Sequence, residues 1–61
     1  MIIEMDKLVR EREPPFRLWR IGDVIEASTG EQFVLLWRLT NPMVKKTVSR
    51  RCLGNDFKEV V

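Results

Sequence analysis

The chain of 61 residues contains no histidine and a single cysteine, Cys52. One thiol cannot form an intramolecular disulfide bond, and a zinc site built from cysteine and histidine cannot be assembled within one chain. Small domains often depend on such a bond or such a metal for their stability. We therefore expect no metal or other cofactor, and we expect a well-sorted core, self-association or a partner to stabilise this chain.

Long apolar segments are also missing. The longest apolar run, residues 33–37, has five residues, and charged side chains interrupt the first ten residues of the chain. The sequence therefore predicts neither a membrane span nor a signal peptide. Because an unpaired thiol without an export signal is typical of a reducing compartment, we expect a cytoplasmic protein.

The length of the chain limits what it can do. A domain of 61 residues has room for one core and buries only about 60% of the surface that its unfolded chain exposes. A substrate pocket of roughly 300 Å³ would remove much of that core. We expect a single domain that is not an enzyme, has no catalytic residues and acts as a small binding module.

Turn signals divide the chain into segments of strand length. Four segments are rich in β-branched and aromatic residues, at 17–27, 31–40, 44–53 and 57–61. The turn signals around them are Pro14-Pro15, Thr29-Gly30, Asn41-Pro42 and Gly54-Asn55-Asp56. The spacing of about 8–12 residues predicts a mainly β fold, either a small antiparallel meander or an SH3-like barrel of four to five strands.

Residues 2–13 support two interpretations. Ile2, Met5 and Val9 recur at steps of three and four, which favours a short helix that the following prolines end. Ile3, Met5 and Val9 also share parity, which is typical of an extra strand. We expect the helix and keep the strand as the alternative. In either case residues 1–13 are predicted to be an appendage to a small β-barrel domain at 14–61.

The first hairpin determines which side chains are expected in the core. A three-residue loop at 28–30, with Gly30 in the left-handed region, avoids a positive φ at the β-branched Thr29. This loop pairs Ile25 with Phe33 and collects Phe33 and both tryptophans on one apolar face. A bend is expected in the first strand of the hairpin at Gly22 and the residue after it.

The second hairpin is predicted to continue that core face. A type I turn with Asn41 first and Pro42 second sets Phe33 opposite Cys52, so that the cysteine becomes a small core residue. Neither Cys52 nor any other residue of this face has a histidine that could activate it, and we assign no catalytic role.

Asp23 is expected on the same apolar face. Burial of a carboxylate without a partner is costly, and the predicted register brings Arg50 close to it. We therefore predict a bend or a buried ion pair between Asp23 and Arg50, with a structural role.

Charge is distributed unevenly along the chain. Residues 1–31 contain five basic and seven acidic residues, whereas residues 32–61 contain six basic and two acidic residues. The predicted register brings several of these basic residues to the face opposite the core, where they could contact phosphates. The candidate residues for nucleic-acid or anion binding are Arg20, Arg38, Lys45, Lys46, Arg50 and Arg51.

Two observations oppose nucleic acid as the main partner. The net charge of +2 is small for a nucleic-acid-binding domain, and the aromatic rings that could stack on bases are predicted to face the core. Apolar residues expected outside the core are candidates for a partner interface, and these are Phe16, Leu18, Val34 and Leu36. The alternatives are that Phe16 and Leu18 cap the barrel and that the N-terminal helix covers Val34 and Leu36. Protein–protein interaction or homo-oligomer formation is therefore the leading prediction, and nucleic-acid binding by the basic strand face is the alternative.

Overall fold

The computed structural model describes residues 3–60, which form five strands and one short helix. The strands are β1 (Leu8–Glu11), β2 (Leu18–Glu26), β3 (Gln32–Arg38), β4 (Lys45–Ser49) and β5 (Phe57–Glu59), and the helix is α1 (Arg50–Asp56). Neighbouring strands are antiparallel and follow the order β4-β3-β2-β1-β5 across one sheet. The first four strands form a meander, and β5 returns to pair with the free side of β1.

The predicted mainly β meander is confirmed, but the described strands form one open sheet and not a closed SH3-like barrel. The helix predicted at 2–13 is wrong where the structure describes that segment, because Leu8–Glu11 is a strand. Hydrogen-bonded pairing with β2 on one side and β5 on the other determines its conformation, and so the alternative of an extra strand is confirmed. Ile2 and Val61, at the ends of two predicted segments, lie outside the described residues.

The side-chain alternation of β2 changes at Gly22. The pairing with β3 shifts by one residue between Ile21 and Asp23, which is the signature of a β-bulge. Because of this extra residue, every side chain of β2 after the bulge lies on the face opposite to the one that simple alternation predicts. Ile21 therefore faces the core with Leu36, whereas Ile25, of the same parity, is 46% exposed on the opposite face.

The core lies on one face of the sheet, beneath α1. Its buried residues are Val9, Trp19, Ile21, Val34, Leu36, Leu53 and Phe57. The predicted inward position of Trp19 is confirmed, but the predicted inward positions of Phe33 and Trp37 are wrong. Because the bulge brings Ile21 into register with Leu36, β3 buries Leu36 and Val34 and turns Phe33 to the other side of the sheet.

The connection between β3 and β4 is longer than predicted. The turn at Asn41 forms as expected, since the Val44 N–H donates to the Asn41 carbonyl oxygen over 2.9 Å. The hydrogen bonds between β3 and β4 begin only at Arg38, whose N–H donates to the Val44 carbonyl oxygen over 3.0 Å. Residues 39–43 therefore form the loop, and the residue opposite Phe33 is Ser49.

Helix α1 occupies a segment predicted as the end of a strand and a turn. Ser49 is its N-cap, and the Ser49 hydroxyl oxygen accepts a hydrogen bond from the Cys52 N–H over 3.2 Å. Leu53 is buried in the core, whereas Cys52 is exposed. The predicted core position of the cysteine is wrong because the helix turns it to the outside. No helix in residues 3–60 has the length and hydrophobicity needed to cross a membrane.

Candidate functional site

The sheet face opposite the core, here called the outer face, has an apolar centre and basic residues around it. Pairing and alternation assign to it Leu8, Arg10, Leu18, Arg20, Asp23, Ile25, Phe33, Leu35, Trp37, Lys45, Thr47, Ser49 and Lys58. Four of these residues are basic and one is acidic, whereas the whole chain has eleven basic and nine acidic residues. Leu53 of α1 and Ile3 pack on the core, on the other side of the sheet. Positive charge is thus concentrated on the outer face.

Trp37 has a basic residue beside it on each neighbouring strand. It pairs with Arg20 of β2 and with Lys45 of β4, and we call these three residues the Trp37 row. The Nζ atom of Lys45 lies 4.5 Å from the centroid of the indole ring, which is a cation–π distance. The row therefore combines an aromatic surface with a positive charge on either side.

The bulge at Gly22 supports the indole of Trp37. A Cβ atom at Gly22 would lie 3.0 Å from Cε2 of Trp37 and closer still to Nε1 and Cδ1 of the same ring. Only a residue without a side chain allows the indole to lie against the backbone there. The Nε1 atom of Trp37 is buried and has no hydrogen-bond partner among the described residues, which costs about 1–3 kcal/mol.

The central part of the outer face, on β2 and β3, is apolar. Phe33 lies between Ile25 of β2 and Ser49 of β4, and Leu35 is its neighbour on the same side of β3. Phe33 and Leu35 are half-buried, and Ile25 is more exposed than either. The central part of the face thus presents a continuous apolar surface that ends at Trp37.

The predicted pair between Asp23 and Arg50 does not form. Asp23 lies beyond the bulge, is exposed on the outer face, and accepts a hydrogen bond from the Val24 N–H at Oδ1 over 2.8 Å. Arg50 belongs to α1 and donates to Oε1 of Gln32 over 2.9 Å. The prediction of a buried carboxylate is wrong because it placed Asp23 on the core face.

The structure distributes the six predicted basic residues over three places. Arg20 and Lys45 lie on the outer face in the Trp37 row. Arg38 and Lys46 have the opposite parity on β3 and β4, and the two remaining arginines begin α1. A single face carrying all six does not form among the described residues, but the two on the outer face pair with Trp37 from the neighbouring strands.

The predicted partner interface also divides. Phe16 and Leu18 lie at the outer face, where Leu18 pairs with Arg10. Val34 and Leu36 have no exposed surface, so their predicted outward position is wrong. The sequence predicted a bend at Gly22, and a glycine inside a strand is a signal of a bulge or of close backbone approach. The sequence did not show that this bend changes which side chains of β3 face the core.

Comparison of the chain with protein-family models, curated proteins and solved structures found no match. Among residues 3–60, no group of three Cys, Asp or Glu side chains is arranged to hold a metal ion.

Proposed function

We propose that the protein is a non-catalytic binding module that takes single-stranded nucleic acid on its outer face. The observation that carries the proposal is the Trp37 row, an indole with Arg20 on one side and Lys45 on the other. A base can stack on such a ring while the two cations contact the phosphates before and after it. Stacking of this kind tolerates any base because every base has a π face.

Lys45 covers the indole, with its Nζ 4.5 Å from the ring centroid. A base that stacks on Trp37 displaces this ammonium group, and the flexible lysine stem lets it move to a neighbouring phosphate. The cation–π contact given up is worth about 0.5–1 kcal/mol at an exposed site, whereas base stacking is worth about 1–3 kcal/mol. The exchange favours binding.

The sequence offered two objections to nucleic acid, and the structure weakens both. Phe33 and Trp37 are half-buried on the outer face and not inside the core, so a base that displaces Lys45 can reach the Trp37 ring. The net charge of +2 is small, but four basic residues and one acidic residue share that face. A cytoplasmic location, expected from the unpaired thiol of Cys52, is consistent with this partner.

The leading prediction from sequence was protein–protein interaction or self-association, and self-association is the second candidate. The apolar surface formed by Ile25, Phe33 and Leu35 favours it, because such a surface is stabilised by contact with another apolar surface. We rank it second because a two-fold dimer places the same patch of each copy in contact, which would bring the basic residues of one outer face against those of the other.

A titration with a thymidine oligonucleotide of about ten nucleotides tests the proposal, with tryptophan emission as the signal. We expect quenching at 50 mM salt and an affinity that falls as salt is raised to about 200 mM. The logarithm of the binding constant should fall with the logarithm of salt concentration with a slope of about −1.4 for two phosphate contacts and about −2.8 for four.

Lys45→Ala and Lys46→Ala form a matched pair for this titration. The two lysines are adjacent and both exposed, but Lys46 faces the core side, with Nζ 5.6 Å from the ring centroid of Phe57. Lys45→Ala should weaken binding several-fold and reduce the salt slope by about 0.7, while Lys46→Ala should change neither. Equal effects of the two substitutions, or no binding at 50 mM salt, would overturn the proposal. A doubled mass in light scattering without oligonucleotide binding would favour self-association in its place.

A further inference from the structure

An open groove lies at the β1–β5 end of the outer face, next to the Trp37 row. Its volume is about 630 Å³, and it is lined by Arg10, Phe16, Leu18, Lys58, Glu59 and Val60. Arg10 pairs with Leu18 across β1 and β2 and with Lys58 across β1 and β5. The floor of the groove is therefore a continuation of the outer face.

Phe16 forms an exposed aromatic wall of this groove. Its side chain is 47% exposed, and the guanidinium carbon of Arg10 lies 5.6 Å from its ring centroid. The φ angle of Phe16 is 58°, in the left-handed region that bulky residues rarely adopt. Strained residues of this kind persist only where their surroundings hold them, and they cluster at ligand sites.

The charges of the groove favour an anionic occupant. Arg10 and Lys58 are both exposed, and both line the groove. The single acidic lining residue, Glu59, already has a cationic partner, since its Oε1 lies 3.3 Å from Nζ of Lys7. An aromatic wall with two cations beside it repeats the chemistry of the Trp37 row.

We propose that this groove is a second base subsite for the same strand of nucleic acid, in which a base packs against Phe16 and Arg10 and Lys58 contact phosphates. The inference rests on the proposed function. From Trp37 to Arg10 the path crosses two strands and advances two residues, which is about 12 Å at ordinary sheet spacing. Arg20 lies between the two positions. A single nucleotide at Trp37 therefore leaves the groove empty, and a longer oligonucleotide fills both.

The test compares a thymidine dinucleotide, which is too short to reach from Trp37 to the groove, with a thymidine oligonucleotide of about eight nucleotides on four variants. Phe16→Ala should weaken binding of the longer oligonucleotide about tenfold and leave the affinity for the shorter one unchanged. Trp37→Leu should weaken both. Lys58→Ala, which changes an exposed side chain of an edge strand, should weaken only the longer one, and Arg51→Ala on α1 is the charge-matched control that should affect neither.

The outcomes separate the two proposals. If Trp37→Leu weakens binding while Phe16→Ala and Lys58→Ala leave the longer oligonucleotide bound as in the wild type, the second subsite is wrong and the Trp37 site stands. If Phe16→Ala weakens both lengths equally, the groove is not a separate subsite and the inference is also overturned. If neither length binds the wild-type protein, the proposed function itself fails.

Discussion

Replacement of Gly22 by alanine tests the position of the Trp37 indole. The new methyl group would lie 3.0 Å from Cε2 and closer to Nε1 and Cδ1 of the ring, which is too close for the ring to stay in place. Gly22 does not have a left-handed φ, so alanine can adopt its backbone conformation. The destabilising effect of the substitution must therefore come from displacement of the indole.

The size of the effect follows from what the ring loses. A half-buried indole that leaves the sheet loses roughly 100 Å² of contact area, which is worth about 2.5 kcal/mol. Hydration of the buried, unpartnered Nε1 of Trp37 returns about 1 kcal/mol. We expect Gly22→Ala to lower the free energy of unfolding by about 1.5 kcal/mol. For a domain of this size, each kcal/mol lowers the melting temperature by about 4–8 °C.

Chemical unfolding followed by circular dichroism measures this loss, and native-state tryptophan emission reports the displaced ring. Gly54→Ala is the control, because nothing lies within 4 Å of the new methyl group and the residue belongs to α1. Alanine in a helix is favoured over glycine by up to about 1 kcal/mol, so this variant should be at least as stable as the wild type. A Gly22→Ala protein with wild-type stability and unchanged emission would refute the placement of the indole over Gly22.

Three further substitutions, two of them with a comparison variant, test the fold in the same unfolding assay. Gly30→Ala has open space around it but a φ of 87°, so backbone strain should cost about 1–2 kcal/mol. Leu36→Ala removes a fully buried side chain and should lower the free energy of unfolding by about 2–5 kcal/mol. Leu35→Ala on the outer face should lower it by less than half as much. Equal decreases would contradict the assigned faces of β3. Glu11→Ala removes the acceptor 2.8 Å from the Trp19 indole nitrogen and should cost about 1–3 kcal/mol, and Glu11→Gln should restore most of that loss if the hydrogen bond is its cause.

Turns and nearby pairings could be predicted because local chemistry determines them. Gly30 has the predicted positive φ, the turn at Asn41 has the predicted hydrogen bond, and Ile25 pairs with Phe33 as expected. The choice of inner and outer face could not be predicted in the same way. This choice depends on the bulge at Gly22 and on packing against α1. A shift of one residue moves every side chain beyond the shift to the opposite face of the sheet.

The errors at β1 and α1 have tertiary causes. The apolar residues around Val9 fit both a helical and a strand period, and hydrogen bonds to strands distant in sequence favour the strand. The cap at Ser49 and the burial of Leu53 stabilise α1 although Gly54 lies within it. Of the candidate site, the basic residues could be identified from sequence, but the position of Trp37 on the outer face depends on the bulge.

An NMR titration of the two indole N–H groups tests the central claim most directly, because Trp37 lies on the outer face and Trp19 lies in the core with its N–H bonded to Glu11. A thymidine oligonucleotide of about eight nucleotides is added at low salt, with signals assigned by single tryptophan substitutions. We predict that the Trp37 resonance shifts progressively to saturation and that the Trp19 resonance stays in place. A shift of Trp19 alone, or no shift of either signal at excess oligonucleotide, would contradict nucleic-acid binding on the outer face.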